Sequence, residues 1–104
     1  MLFNVAFQIG NPKLVSGATW SECAAWAEGV GETIQSINIQ QQKLILNNPS
    51  SDESYQVGLK DNDTSILTTY IIYDTYSNVI SWINAQSGVS VQGIQYQKRV
   101  FVQI

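Results

Sequence analysis

Thr19-Trp20-Ser21 followed by Trp26, and Thr75-Tyr76-Ser77 followed by Trp82, share the pattern T-[WY]-S-x4-W at an offset of 56 residues. A second pair lies downstream: Ile39-Gln40-Gln41-Gln42-Lys43 and Ile94-Gln95-Tyr96-Gln97-Lys98 both read I-Q-x-Q-K, offset by 55. Upstream, Phe3-Asn4-Val5-Ala6 aligns loosely with Tyr55-Gln56-Val57-Gly58 at an offset of 52. Three blocks that agree in order, type and spacing indicate an internal duplication. The copies span about 1–48 and 53–104 of a single 104-residue domain, and Asn47-Asn48-Pro49-Ser50-Ser51 joins them with the composition of a turn or loop.

Each copy reads as strand, strand, helix, strand. In the first, Phe3, Val5, Phe7 and Ile9 alternate along one face of a strand, and Gly10-Asn11-Pro12 signals a turn before a short return over Lys13–Ser16. Thr19 and Glu22 form a capping box, and Trp20, Cys23, Ala24, Ala27, Val30 and Ile34 fall on one helical stripe. Gly29 and Gly31 weaken the last turn. Residues 35–46 are strand-like, with a change of phase between Ile39 and Leu44 of the kind a bulge produces.

In the second copy Tyr55, Val57 and Leu59 alternate, Asp61-Asn62-Asp63 marks a hairpin, and Ser65–Tyr73 is a β-branched and aromatic strand. A helix is expected from about Tyr76 to Gln86, with Gly88 behind its end. Val89–Phe101 reads as a long strand broken in phase at Gly93.

Two such ββαβ units can join their sheets and lay both helices on the same face. The expected fold is therefore α+β: a two-layer sandwich with an antiparallel or mixed sheet and approximate internal two-fold symmetry. Were Lys13–Ser16 not a strand, the order would collapse to the ferredoxin-like βαββαβ.

Composition excludes much chemistry. The chain has no His, one Cys, five Lys+Arg and eight Asp+Glu, a net charge of −3, and only 12% charged residues. Eleven Gln and eight Asn fill the deficit, and a surface of neutral amides repels itself weakly. Without His there is no His-dependent triad or general base, and with one Cys no zinc site or internal disulfide. No cofactor, metal or catalytic residue is expected, nor an enzyme. No apolar run approaches a membrane span and the N-terminus lacks a basic signal region, which makes the cytoplasm the expected compartment.

Individual candidates read as structural. Glu22, Glu28 and Glu32 belong to a solvated helix face, and Asp61-x-Asp63 lacks the Gly and Glu of a calcium loop, having Ile66 and Ile72 in those places. Cys23 sits on the apolar stripe. Gly29-Val30-Gly31 lacks the strand and helix of a nucleotide-binding turn.

The open sheet face, carrying Gln8, Gln40, Gln42, Gln95 and Gln97, is the expected partner surface, with Tyr70, Tyr73 and Tyr96 beside it. Ser65–Tyr73 holds no Lys or Pro and reads as an undefended edge. Trp26 and Trp82 could be paired walls of a ligand cleft between the copies. Lys43, Lys98 and Arg99 could form one basic spot, but three cations are too few for close tracking of a nucleic-acid backbone.

The hairpin, the capped T-[WY]-S helix, the closing strand and the Asn/Gln-rich, weakly charged composition together resemble small standalone proteins encoded by bacteriophages. The resemblance implies an accessory role, in assembly or in inhibiting a host protein, within the host cytoplasm. The leading expectation is a non-enzymatic interaction module that forms a homodimer or higher oligomer and presents its surface to a protein partner. A small-ligand binder (nucleotide or metabolite) and a single-strand nucleic-acid binder are the alternatives.

Overall fold

Phe3, Val5 and Phe7 are buried while Leu2, Asn4 and Ala6 between them are half-buried, and this period of two makes Leu2–Phe7 a strand, β1. The computed structural model describes residues 1–17, 19–48 and 53–104, so Pro49-Ser50-Ser51 of the expected linker lies outside the described residues. The elements that follow are β2 (Lys13–Ser16), α1 (Trp20–Val30), β3 (Ile34–Gln40), β4 (Lys43–Leu46), β5 (Glu53–Asp61), β6 (Leu67–Tyr73), α2 (Tyr76–Asn84), β7 (Val89–Lys98) and β8 (Val100–Gln103). The protein is α+β, with two helices and two four-stranded mixed sheets, and each half repeats the order β-β-α-β-β. The hairpin strand β2 is present, which removes the ferredoxin-like order.

The helix starts follow the sequence. Thr19 Oγ1 accepts from the Glu22 N–H at 3.3 Å while Glu22 Oε1 accepts from the Thr19 N–H at 3.1 Å, the reciprocal capping box. Gly31, left-handed at φ 82°, ends α1, so Gly29 lies inside the helix. Thr75 caps α2 through the Asn78 N–H, and α2 stops at Asn84, four residues short of Gly88.

The pairings do not produce one joined sheet. The strand orders are β3-β1-β2-β8 and β4-β6-β5-β7. In the first, β1 is antiparallel to both β2 and β3, and β8 lies parallel to β2 with Val15 opposite Val102. In the second, β5 and β6 are antiparallel, and β4 lies parallel to β6 with Ile45 opposite Ile72. Residues 1–41 with 98–104 form one compact unit, and 42–97 form the other.

Each half of the sequence therefore gives its last strand to the sheet built by the other half. The closing stretches expected as single strands are each two strands belonging to different sheets, divided at Gln41–Gln42 and at Arg99. The phase change between Ile39 and Leu44 is this crossing, not a bulge.

The change of phase expected at Gly93 does not interrupt the strand. β7 runs unbroken from Val89 to Lys98 through Gly93, with Val89 packed on the core and Tyr96 against the Tyr55 ring.

The two cores match position by position. Phe3, Val5, Phe7, Val15, Cys23 and Ala27 form the first, and Tyr55, Val57, Leu59, Ile72, Val79 and Ile83 the second. The donated strands supply Val102 to one and Ile45 to the other.

Candidate interaction edges

Sheet order decides which strand is an edge. β6 lies between β4 and β5, so Ser65–Tyr73 is not the exposed edge expected from its lack of Lys and Pro. That composition is what an interior strand requires. The long edge of the second unit is β7. Asn62 N–H donates to Gly88 C=O at one end of the β5–β7 pair, and Ser54 Oγ donates to Gln97 C=O at 2.7 Å at the other, which sets the two strands antiparallel. Residues 90–96 are exposed throughout, and nine consecutive residues, Val89 to Gln97, carry no charge. Val91, Ile94 and Tyr96 are large apolar side chains exposed along it.

Aromatic rings extend this edge. Tyr55, buried, has the Tyr96 ring at 5.4 Å and the ring of Tyr76, from the first turn of α2, at 5.6 Å. Tyr76 and Tyr96 are more than half exposed. The spacing of Tyr76, Val79, Ile80 and Ile83 reads as one helical stripe, so Tyr76 is absent from the surface residues expected from sequence; its position one residue after the N-cap Thr75 is the signal that it stands at the helix rim.

The other candidate residues separate. Gln95 and Tyr96 are exposed on β7, Gln97 is half-buried, and exposed Lys98 ends the strand. Gln40 ends β3 opposite Leu2, and Gln42 lies between β3 and β4 with its Oε1 buried and without a hydrogen bond. Lys43 opens β4 with its Nζ 6.0 Å from the Tyr70 ring. Tyr73 is fully buried, a core residue and not a surface one. Arg99 is also buried, its guanidinium donating to Asn4 Oδ1 at 3.0 Å, so it does not join Lys43 and Lys98 in a surface basic spot.

Trp26 packs edge-on to Phe7 at 6.2 Å in the first unit, and Trp82 edge-on to Tyr70 at 5.0 Å in the second. Each indole serves the core of its own unit. The sheet faces away from the helices are not simply amide surfaces either: Leu14, Ile71 and Tyr73 alternate with helix-facing residues yet are fully buried.

The groups that might carry reactivity are engaged in structure. Cys23 is fully buried and burial pushes its thiol up, away from the nucleophilic thiolate. Asp61 accepts from the N–H groups of Thr64 and Asp63, which hold its carboxyl below the usual range and close the hairpin. Asp74 accepts from Asn78 Nδ2 and the Thr75 N–H, with the same direction of shift.

Two hollows lie in the second unit. One of about 390 Å³ is lined by Leu59, Asp61, Thr68, Tyr70, Gln86 and Val89, among others. One of about 290 Å³ runs beside β7, floored by Gly58, Leu67 and Thr69 and walled by Gln92 to Gln95. Among the described residues no three His, Cys, Asp or Glu side chains converge as a metal site, and no helix is long and apolar enough to cross a membrane. Comparison with known proteins gives no matching family model, no matching curated protein and no matching solved structure.

Proposed function

We propose that this chain is a non-enzymatic interaction module that self-associates, using the β7 edge of its second unit. The observation that carries the reading is nine uncharged residues along an outer strand, with Val91, Ile94 and Tyr96 exposed. An edge strand offers unpaired N–H and C=O groups to another chain, and charge is the usual defence against such pairing. Exposed tyrosines add contact area at low entropic cost. A phage accessory role, in assembly or host inhibition, is compatible with such a surface.

The test is mass by light scattering across a concentration series. The unaltered chain is expected to rise to a dimer or higher, and Ile94→Lys to remain a monomer because it places a cation in the centre of the edge. A strict monomer that also captures no protein partner overturns the proposal.

A small-ligand reading has one observation in its favour: the larger hollow includes the Tyr70 ring, and Trp82 stands 5.0 Å from that ring. A ligand there would perturb Trp fluorescence, and a nucleotide and metabolite panel that leaves the emission unchanged removes it. Single-strand nucleic acid loses support with Arg99 buried.

A further inference from the structure

β8 is attached to its own sheet entirely from a distance in sequence. Lys13 to Ser16 pair in parallel with Val100 to Gln103, the Ile104 N–H donates to Ser16 C=O at 3.0 Å, Arg99 reaches Asn4, and Val102 packs on the core built by residues 3–27. None of these contacts requires β8 and β2 to lie on the same chain. The tether from β7 is Arg99 alone, and the matching tether from β3 to β4 is Gln41–Gln42. A strand leaving one sheet for another through so short a hinge is the arrangement that favours exchange between molecules. The duplication makes the point a second time: β4 reaches β6 in the same parallel register as β8 reaches β2, so both sheets are already completed by a strand from outside their own half. Weak charge along the chain leaves little to keep two copies apart.

We infer that the outer edge of β2 is a docking site for the C-terminal strand of a second copy of this chain, and that reciprocal transfer of residues 98–104 yields a strand-exchanged dimer. The exchanged and closed forms share every β8 contact and differ in the hinge. The tethered strand competes at an effective concentration on the order of millimolar, so exchange is expected when concentrated chains are refolded together and not when the folded chain is simply concentrated.

The experiment uses full-length chains with Cys23→Ala, which removes the native thiol, and Ile94→Lys, which removes association through β7. Lys13→Cys and Val100→Cys are introduced singly, because these positions are direct neighbours in the β2–β8 register. A chain carrying both is expected to form its disulfide internally when dilute. The two single variants, refolded together when concentrated and then oxidised, are expected to give a mixed disulfide dimer several-fold above that formed with Lys60→Cys in place of Val100→Cys. Absence of that excess overturns the inference, as does failure of the double variant to close its bond. As an independent measurement, a peptide of residues 98–104 added while the Ile94→Lys chain refolds is expected to lower dimer yield several-fold, and an unchanged yield counts against exchange. Because Ile94→Lys is present throughout, loss of the mixed dimer speaks against strand exchange and leaves the β7 reading to its own light-scattering test.

Discussion

Gly17 shows how one residue seats the C-terminal strand. Its φ of 83° lies in the left-handed region, and a Cβ there would stand 2.5 Å from Gln103 Nε2 and 2.7 Å from Ile104 C=O. The amide could swing aside, but the carbonyl is backbone and carries the end of β8 with it. Gly10 has a similar φ of 88° with open space around it. Gly10→Ala should therefore cost about 1 kcal/mol for the left-handed conformation alone, and Gly17→Ala about 2 kcal/mol or more, as strain and displacement add. Thermal melting of the two variants checks this. Equal losses would show that β8 does not press on Gly17.

Titration at single residues also has a fixed sign. Hydrogen bonds to the ionised forms of Glu22, Asp61 and Asp74 lower all three pKa values. The unfolded chain then binds more protons than the folded one below about pH 4, where unperturbed carboxyls titrate. That stabilisation is complete above the unfolded pKa values and is lost as pH falls through the folded ones. Cys23 and Tyr55 move up with burial, so their contribution is complete at neutral pH and fades as pH rises past the unfolded thiol and then the unfolded phenol. Denaturant midpoints measured across pH should fall on both sides of a neutral plateau, and Asp74→Asn should flatten the acid limb. An acid limb unchanged by that substitution would remove Asp74 from the account.

At the scale of elements, local signals transferred well and pairing signals did not. Thr19 and Glu22 specify a helix start through bonds three residues apart, and the structure contains both. The Thr75 side chain caps α2 by accepting from the Asn78 N–H, while its own N–H donates to Asp74 Oδ1. Thr19→Ala should cost about 1 kcal/mol by leaving the Glu22 N–H without its cap partner, while the Glu22 carboxylate keeps the Thr19 N–H, and Thr75→Ala should cost a similar amount by doing the same to the Asn78 N–H, within the range of roughly 0.5–2 kcal/mol for such caps. Equilibrium unfolding of the two variants measures both losses. By contrast, Lys43-Leu44-Ile45-Leu46 and Val100-Phe101-Val102-Gln103 are four-residue strands, too short to name a partner by pattern. The sequence showed that alternation slips after Ile39, and the partner that explains it, β6, begins more than twenty residues further on. Edge status is legible only once order is known, so Ser65–Tyr73 reads as an undefended edge although β6 is interior, and nothing in the pattern of β7 marks it as the outer strand. The aromatic site divided for the same reason: Tyr96 was found on a strand, but Tyr73 and Tyr76, three residues apart, ended on opposite sides of the burial boundary.

For the whole molecule, exchange of closing strands separates nearness in sequence from shared stability. Ile45 belongs by sequence to the first copy, yet it lies opposite Ile72 and packs on the core of Tyr55, Val57, Leu59, Val79 and Ile83. Ile45→Ala removes apolar contact from a partly buried site, so the loss should be near the lower end for such truncations, about 2 kcal/mol. The informative part is where it appears. Amide hydrogen exchange is expected to quicken in β5 and β6, residues 53–73, while β1 and β3, which share the sequence half of Ile45, keep their protection. Val102→Ala should do the converse, loosening β1 and β2 at the far end of the chain and sparing β5 and β6, because Val102 lies opposite Val15 and packs on the cluster that includes Phe3 and Val5. If either variant loosened its own sequence half in preference to the other, the closing strands would not be held where their parallel pairings put them, and the division of the chain into 1–41 with 98–104 and 42–97 would fail with them.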